Sequence, residues 1–157
     1  MRILFVCTQN RCRSIIAEAV ANRFGEGRII AASAGSEPAQ KVHPETLKLL
    51  KSHGISTAGL ACKCWDDMQT FEPDFVITLC DKAAHESCPI WFGMSLRVHW
   101  GLADPAKAEG SEAQKWAAFE DTYKILHNRI KKLARLLESD PSRTDIYDLL
   151  RTLAAEI

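Results

Sequence analysis

A loop between an apolar run and a helix-like segment constrains this chain most strongly. Residues 2–6 form a short apolar run typical of a buried strand, and residues 14–24 have helical periodicity, with Ile16, Val20 and Phe24 on one face. The loop between them has the sequence Cys7-Thr8-Gln9-Asn10-Arg11-Cys12-Arg13-Ser14. A strand that leads through a loop into a helix N-terminus directs backbone N–H groups toward an anion. The sequence therefore predicts an oxyanion-binding loop at residues 7–14.

Cys7 and Arg13 bring reactive groups to this loop. The planar guanidinium of Arg13 can bind two oxygens of one oxyanion, and the same positive field should lower the pKa of Cys7 toward the nucleophilic thiolate. Asn10 tolerates the left-handed backbone that a tight loop requires, and Ser14 can cap the helix and donate its hydroxyl to the Cys7 sulfur. We expect a nucleophile at the floor of the loop; the alternative is a buried cysteine next to a surface arginine. The expected oxyanion-binding set is Thr8, Gln9, Asn10, Arg11, Cys12, Arg13 and Ser14.

Composition limits the class of protein. The chain has 157 residues, with 20 basic and 20 acidic side chains and a formal net charge of +0. This length suits a domain with a core, and this balance argues against a nucleic-acid partner. No apolar run approaches the ~20 residues that span a bilayer, and the N-terminus is too short and strand-like for a signal peptide. We expect a cytoplasmic protein, in which the six cysteines have catalytic, redox or metal roles rather than forming static disulfides.

Strand and helix patterns alternate along the chain. Strands are predicted at residues 2–6, 28–34, 75–79 and 96–99, and helices at residues 14–24, 44–52, 65–71 and 111–137. This order predicts an α/β three-layer sandwich, with a mostly parallel four-stranded sheet and helices on both faces. Asp140-Pro141 interrupts the helical pattern, which resumes at residues 145–157. We therefore predict a domain at residues 1–138 and a C-terminal helical extension at 139–157, which packs on the domain or pairs with another chain.

Two further cysteines follow the central apolar run at residues 75–79. Cys80 comes at its carboxyl end, and we expect it at the same sheet edge as Cys7. Cys88 lies beyond a polar segment, so a disulfide between Cys80 and Cys88 requires that segment to rearrange. Such a pair suits a redox relay; the alternative is two ordinary buried cysteines.

The segment from His99 to Pro105 and the Cys62–Cys64 pair complete the candidate groups. Asp104 follows a strand in a loop at the same sheet edge, where its carboxyl group could protonate a leaving oxygen as a general acid. The alternative is an aspartate that caps a turn before proline. Cys62 and Cys64 are expected to be incidental thiols with no metal, because zinc needs about four ligands.

These landmarks together resemble the arsenate reductases built on the low-molecular-weight tyrosine phosphatase fold, of the type coupled to thioredoxin or glutaredoxin. The resemblance covers roughly residues 1–137, and plain phosphatases of this fold lack the second cysteine pair. Their Asp-Pro is also usually followed by tyrosines, whereas Ala106-Lys107 follows here. The matching residues are Cys7-Thr8-x-Asn10-x-Cys12-Arg13-Ser14, Ser33-Ala34-Gly35, Val76-Ile77-Thr78-Leu79-Cys80, Cys88-Pro89-Ile90 and His99-Trp100-Gly101-x-x-Asp104-Pro105.

The resemblance implies a role for each group. Cys7 attacks arsenate that the loop amides and Arg13 hold, and Asp104 protonates the departing oxygen. Cys80 then attacks the Cys7 sulfur, arsenite leaves, and Cys88 moves the disulfide to Cys80–Cys88 as residues 81–88 partly unwind. Thioredoxin, or glutathione with glutaredoxin, supplies the reducing equivalents, and no cofactor is bound.

Electron counting agrees with this scheme, because reduction of As(V) to As(III) takes two electrons and one dithiol supplies two. Two other functions remain open. Cys7, Arg13 and Asp104 alone could serve a phosphotyrosine or small-molecule phosphatase. A non-enzymatic protein could instead bind oxyanions or use Cys7 as an oxidation sensor.

Overall fold

The computed structural model describes residues 1–87 and 89–156, apart from the side chain of Trp91. Its sheet consists of the parallel strands β1 (Arg2–Val6), β2 (Ile30–Ala34), β3 (Phe75–Thr78) and β4 (Leu96–His99), in the order β2-β1-β3-β4. Val6 pairs with Ala34 on one side and Thr78 on the other. The carboxyl ends of the strands are therefore aligned, and the segments that follow them meet at one edge.

The helices are α1 (Arg13–Phe24), α2 (Pro44–Ser52), α3 (Asp81–His85), α4 (Glu112–Leu137) and α5 (Arg143–Ala154), with short 3-10 helices at Trp65–Phe71, Ile90–Phe92 and Pro105–Lys107. Ile3, Leu4, Phe5 and Val6 are all fully buried. Successive strand residues face opposite sides, so both faces of the sheet are covered. The predicted α/β sandwich with a four-stranded parallel sheet is confirmed. In the described part of the chain, no helix combines the length and the apolarity needed to cross a membrane.

The C-terminal helix α5 starts earlier than its apolar pattern predicts. Ser142 caps it by accepting from the Asp145 N–H, and the Asp145 side chain accepts from the Ser142 N–H in return. This capping box adds a polar first turn that apolar periodicity does not reveal. Of the predicted apolar face, Ile146, Leu150 and Leu153 are buried, Leu149 is partly buried, and Ile157 lies outside the described residues.

Helix α5 packs against β4 and α4. The Trp100 indole N–H donates to the Leu150 carbonyl at 2.8 Å, and the Arg129 guanidinium lies 5.3 Å from the centre of the Trp100 ring. One guanidinium nitrogen of Arg129 also donates to the Glu156 carbonyl at 2.7 Å. These contacts match the first of the two expected arrangements, packing on the domain, while the domain boundary at residue 138 stays a prediction.

Candidate active site

The loop between β1 and α1 turns its carbonyl groups away from its centre. Asn10 has a φ of 47°, so the predicted left-handed conformation is confirmed. The Thr8, Gln9 and Arg11 carbonyls accept from the N–H groups of Glu37, Ala39 and His43, at 2.9, 2.9 and 3.1 Å. Within the described residues, no protein acceptor pairs with the N–H groups of Gln9, Arg11 and Cys12. The loop and the first turn of α1 therefore keep free donors for an oxyanion.

Gly35 packs directly against the backbone of this loop. A Cβ atom at position 35 would come within 2.4 Å of the Thr8 carbonyl oxygen. The Gly35 N–H also donates to the Lys63 carbonyl at 2.9 Å. Only glycine allows the chain after β2 to approach the loop this closely.

The side chain of Asn10 stabilises the loop through buried hydrogen bonds. Its side-chain amide donates to Ser14 Oγ and Ser33 Oγ, both at 2.8 Å, and its Oδ1 accepts from the Lys63 N–H at 2.7 Å. Asn10 and Ser14 are fully buried. Both are among the predicted oxyanion-binding residues, which stays a prediction, and their side chains support the loop.

Glu18 orients this network and was not identified from the sequence. The Ser33 hydroxyl donates to the Glu18 carboxylate, and Lys63 Nζ lies 3.2 Å from the same carboxylate. Because the carboxylate only accepts, the hydroxyl oxygen of Ser33 is left to accept from Asn10. Ser14 Oγ likewise accepts from Asn10, so its own proton is free for the Cys7 sulfur, to which it is hydrogen bonded. Four helical positions separate Ser14 from Glu18, and this spacing is the signal that could have linked them.

Cys80 lies next to Cys7, at the predicted sheet edge. It caps α3, and its sulfur accepts from the Ala83 N–H and the Thr8 N–H, both at 3.4 Å. The Thr8 hydroxyl is also 3.4 Å from this sulfur. Cys7 and Cys80 line the same cleft, and the pKa of each thiol is shifted by the other, so the two sulfurs interact directly. Both cysteines are buried, and none of the thiols that the structure describes forms a disulfide.

This interaction separates the pKa values of the two thiols. It lowers the pKa of Cys80 to about 4, with further contributions from the hydrogen bonds of Thr8 and Ala83. The same interaction, together with burial, raises the pKa of Cys7, although Ser14 and Arg13 act in the opposite direction. The expected lowering of the Cys7 pKa is therefore wrong for this state of the site. These directions favour the thiolate at Cys80 over the thiolate at Cys7.

Arg13 connects the loop to Asp104. One guanidinium nitrogen donates to the Leu102 carbonyl at 2.7 Å, and another donates to Asp104 Oδ2 at 3.2 Å. The other carboxylate oxygen of Asp104 accepts from the Ala106 N–H at 3.1 Å. The carboxylate thus caps the turn, as the alternative proposed, and also faces the loop, as a general acid requires.

A cleft of about 510 Å³ opens between these groups. Four cations and three carboxylates line it, and its size and charge suit a small anion. Its charged residues are Arg11, Arg13, Lys82, Lys107, Glu37, Asp81 and Asp104, and its remaining lining residues are Cys7, Thr8, Gln9, Cys12, Cys80, Leu102 and Ala103. Burial raises the pKa of Cys12 to about 11, so this second thiol of the loop stays protonated. Cys88, the third predicted relay thiol, lies outside the described residues.

Residues 2–143 match the model of the family described as low molecular weight phosphotyrosine protein phosphatase. The strand-loop-helix at Cys7, the arginine that ends the loop and the facing aspartate agree with this match. The chain belongs to that family.

Curated relatives narrow this class further. A Halalkalibacterium halodurans protein named arsenate reductase is 39% identical over 132 residues, which cover 84% of this chain and 94% of the relative. A Bacillus subtilis protein of the same name is 37% identical over the same share of each chain. Both of these relatives, at 37–39% identity, are named arsenate reductase rather than phosphatase.

Solved structures agree with the fold. An arsenate reductase from Archaeoglobus fulgidus matches with a TM-score of 0.69 at 26% identity, over 84% of this chain and 98% of that one. An arsenate reductase in a phosphate binding state matches with a TM-score of 0.70 at 27% identity, over 85% and 96%. A Corynebacterium glutamicum protein titled a thioredoxin-dependent arsenate reductase shares the fold at 24% identity and a TM-score of 0.68, over 89% of this chain and 63% of that one.

Proposed function

We propose that this protein reduces arsenate to arsenite, for arsenic detoxification, through a relay of Cys7, Cys80 and Cys88. The proximity of Cys7 and Cys80 at the base of the oxyanion loop carries this proposal: both line the cleft, and the N–H of Thr8, the residue after Cys7, donates to the Cys80 sulfur at 3.4 Å. Hydrolysis of a phosphate ester needs one thiol and water. Oxidation of two adjacent thiols to a disulfide supplies the two electrons that reduction of As(V) requires.

The first step forms a thiol–arsenate adduct. Arsenate has the charge and shape of phosphate, so the free loop N–H groups and the Arg13 guanidinium bind its oxygens. The Cys7 sulfur attacks arsenic, an As–S bond forms and an As–O bond breaks. Asp104 donates a proton to the departing oxygen, which leaves as water.

The second step is the reduction. The Cys80 thiolate attacks the Cys7 sulfur, and the S–As bond breaks with its electron pair left on arsenic, so that arsenite leaves and a Cys7–Cys80 disulfide remains. The low pKa of Cys80, about 4, keeps this nucleophile ionised. When Cys7 attacks arsenic, its proton passes to the Cys80 sulfur. That proton then leaves Cys80 for the solvent before the second step, which the low pKa of Cys80 favours.

The third step regenerates Cys7. Cys88 attacks Cys80, which moves the disulfide to Cys80–Cys88 and releases the Cys7 thiol. Since α3 begins directly after Cys80, the transfer requires the segment after it to unwind. A small cytoplasmic redox protein, thioredoxin or glutaredoxin with glutathione, then reduces the disulfide, and no bound cofactor is needed.

A coupled assay tests this function. Arsenate-dependent NADPH oxidation is measured with thioredoxin and thioredoxin reductase, and in parallel with glutathione, glutaredoxin and glutathione reductase. Turnover in one system supports the reductase and identifies its electron donor. Absence of turnover in both, with brisk hydrolysis of an aryl phosphate, would instead support the phosphatase function that the family description gives.

A further inference from the structure

Cys62 and Cys64 belong to an extended segment that the relay does not use. The Lys63 carbonyl accepts from the Gly35 N–H, and the Trp65 N–H donates to the Gly35 carbonyl, both at 2.9 Å. Cys64 thereby pairs with Gly35 in a parallel bridge. These bonds hold residues 63–65 in the conformation of a β-strand, which fixes the directions of their side chains.

The two thiols project from the same face of this segment. Successive side chains of an extended chain point to opposite sides. Lys63 points toward Glu18, with Nζ 3.2 Å from the carboxylate, and the alternation of an extended chain therefore puts Cys62 and Cys64 on the other side. The Cys64 thiol donates to Asp66 Oδ2 at 3.8 Å, a long contact that binding of arsenic would replace. Both thiols are free and partly exposed, and they pack at the margin of the core.

Their spacing suits a bridging atom better than a direct disulfide. Residues two apart in an extended chain have Cα atoms about 6.6 Å apart, near the upper limit of about 6.8 Å for a disulfide. A single atom between the two sulfurs removes this strain. We propose that Cys62 and Cys64 form a second arsenic site, which binds trivalent arsenic as a dithiolate.

The binding chemistry needs no oxidant. Arsenite, As(OH)₃, exchanges two hydroxyl groups for the two sulfurs, so that two As–S bonds form and two water molecules leave. Burial raises the pKa of Cys62, against the effect of Lys63 and Arg11, and this does not impede binding because each thiol proton leaves with a hydroxyl group as water. Thiolates are soft ligands that favour soft ions.

Within residues 1–87 and 89–156, no group of three or more His, Cys, Asp or Glu side chains could hold a metal ion. The pair therefore offers two ligands, fewer than the roughly four that structural zinc requires. The N–H of Lys63, which lies between the two cysteines, donates to Oδ1 of Asn10 in the oxyanion loop at 2.7 Å. The dithiol thus lies close to the place where the proposed function releases arsenite. The release of arsenite next to this site rests on the proposed arsenate reduction. The binding of arsenite by Cys62 and Cys64 does not.

The test uses a variant in which serine replaces Cys7, Cys12, Cys80 and Cys88, so that two thiols remain. Sodium arsenite is titrated in, and the S–As absorbance in the ultraviolet and the number of free thiols are measured. We expect one arsenic per chain and loss of both free thiols. Adding Cys62→Ser or Cys64→Ser should weaken binding at least ten-fold. No binding, or equal binding after either change, overturns the proposal.

A second measurement covers the case in which the four-serine variant does not fold. The otherwise unaltered protein and its Cys62→Ser/Cys64→Ser variant are compared by mass spectrometry after addition of arsenite. The variant should hold one arsenic fewer per chain and keep its arsenate turnover. Equal arsenic content overturns the proposal. Because arsenite is added directly, this test does not depend on arsenate reduction. If the unaltered protein shows no arsenate turnover, the proposed function is contradicted, but the arsenite-binding result still decides whether the second site exists.

Discussion

The oxyanion loop and helix α3 meet at the same sheet edge but are held in different ways. Residues 7–14 are fixed by hydrogen bonds to the segment after β2 and by the buried amide of Asn10. Helix α3 has five residues. Its side chains are tied mainly at the surface, by Asp81 to His99 and by Lys82 to Glu37, both at 3.2 Å, and the Asp81 side chain is 89% exposed.

This difference is energetic as well as geometric. An exposed ion pair contributes about 0–1 kcal/mol, whereas leaving a buried polar group without its partner costs about 1–3 kcal/mol. The loop is therefore preorganised to bind, while the exposed ion pairs of α3 contribute little to holding that helix in place. A relay that must carry Cys80 from Cys7 toward Cys88 requires this combination.

Replacing the nucleophile of the loop should have the largest effect. We expect Cys7→Ser to abolish both arsenate reduction and aryl-phosphate hydrolysis, because both begin with attack by this sulfur. Coupled NADPH oxidation and release of the aryl alcohol measure the two activities. Cys62→Ser is the matched control and should keep both. Aryl-phosphate hydrolysis by the Cys7→Ser variant would remove Cys7 from the mechanism.

A change in the α3 region should separate the two activities. We expect Cys80→Ser to abolish arsenate reduction and to retain hydrolysis of an aryl phosphate, because only reduction needs the second thiol. The same two assays check this prediction. Normal arsenate reduction by this variant would show that the relay is wrong.

A substitution at Asp104 tests whether this carboxyl group, which faces the loop across the cleft, acts as the general acid. Asp104→Asn keeps an oxygen that can accept from the Ala106 N–H but removes the proton donor. We expect the adduct-forming step to slow by about 10²–10⁴-fold, the usual contribution of a general acid. Single-turnover kinetics measure this step. Thermal unfolding should show a folded protein of somewhat lower stability, because Arg13 loses its bond to Oδ2. An unaltered rate would exclude Asp104 as the acid.

The sequence alone predicted the sheet and the edge at which Cys7, Cys80 and Asp104 meet. Strands β1 and β4 and helix α2 have the predicted bounds, because their apolar patterns and end signals are local. The proximity of Cys7 and Cys80 followed from parallel strands that end at one edge. The loop motif also located Arg13 and the left-handed Asn10 correctly.

The supporting residues could not be predicted in the same way. Glu18 and Lys63 meet only because Gly35 brings residues 61–65 against the loop. The difference in pKa between Cys7 and Cys80 also could not be predicted from neighbouring residues in the sequence. It depends on the Thr8 and Ala83 N–H groups that converge on Cys80, and these come from two segments far apart in sequence.

The thiol pair gives a prediction about pH. The interaction with Cys80 is the largest cause that raises the pKa of Cys7, so Cys80→Ala should lower that pKa. Reaction of Cys7 with iodoacetamide requires the thiolate, so its rate should reach half-maximum at a lower pH in this variant. Mass spectrometry of the labelled peptide separates Cys7 from Cys12. A midpoint that does not fall would contradict this effect of Cys80 on Cys7.

The smallest effect is expected at Glu18, which supports the loop without lining the cleft. Its side chain is 13% exposed, and it accepts from Ser33 and pairs with Lys63. Glu18→Gln keeps the shape but removes the charge, so it weakens both bonds. We expect unfolding to require about 1–3 kcal/mol less free energy, measured by urea denaturation.

Glu26→Gln is the matched control for this change, because Glu26 pairs with Arg28 at the surface, with 55% of its side chain exposed. It should cost at most about 1 kcal/mol. A Glu18→Gln variant no less stable than this control would show that the loop is not fixed through Glu18. Lower stability with a slower adduct-forming step would show that Glu18 also positions Ser14 toward Cys7, because Asn10 and Ser33 connect these residues.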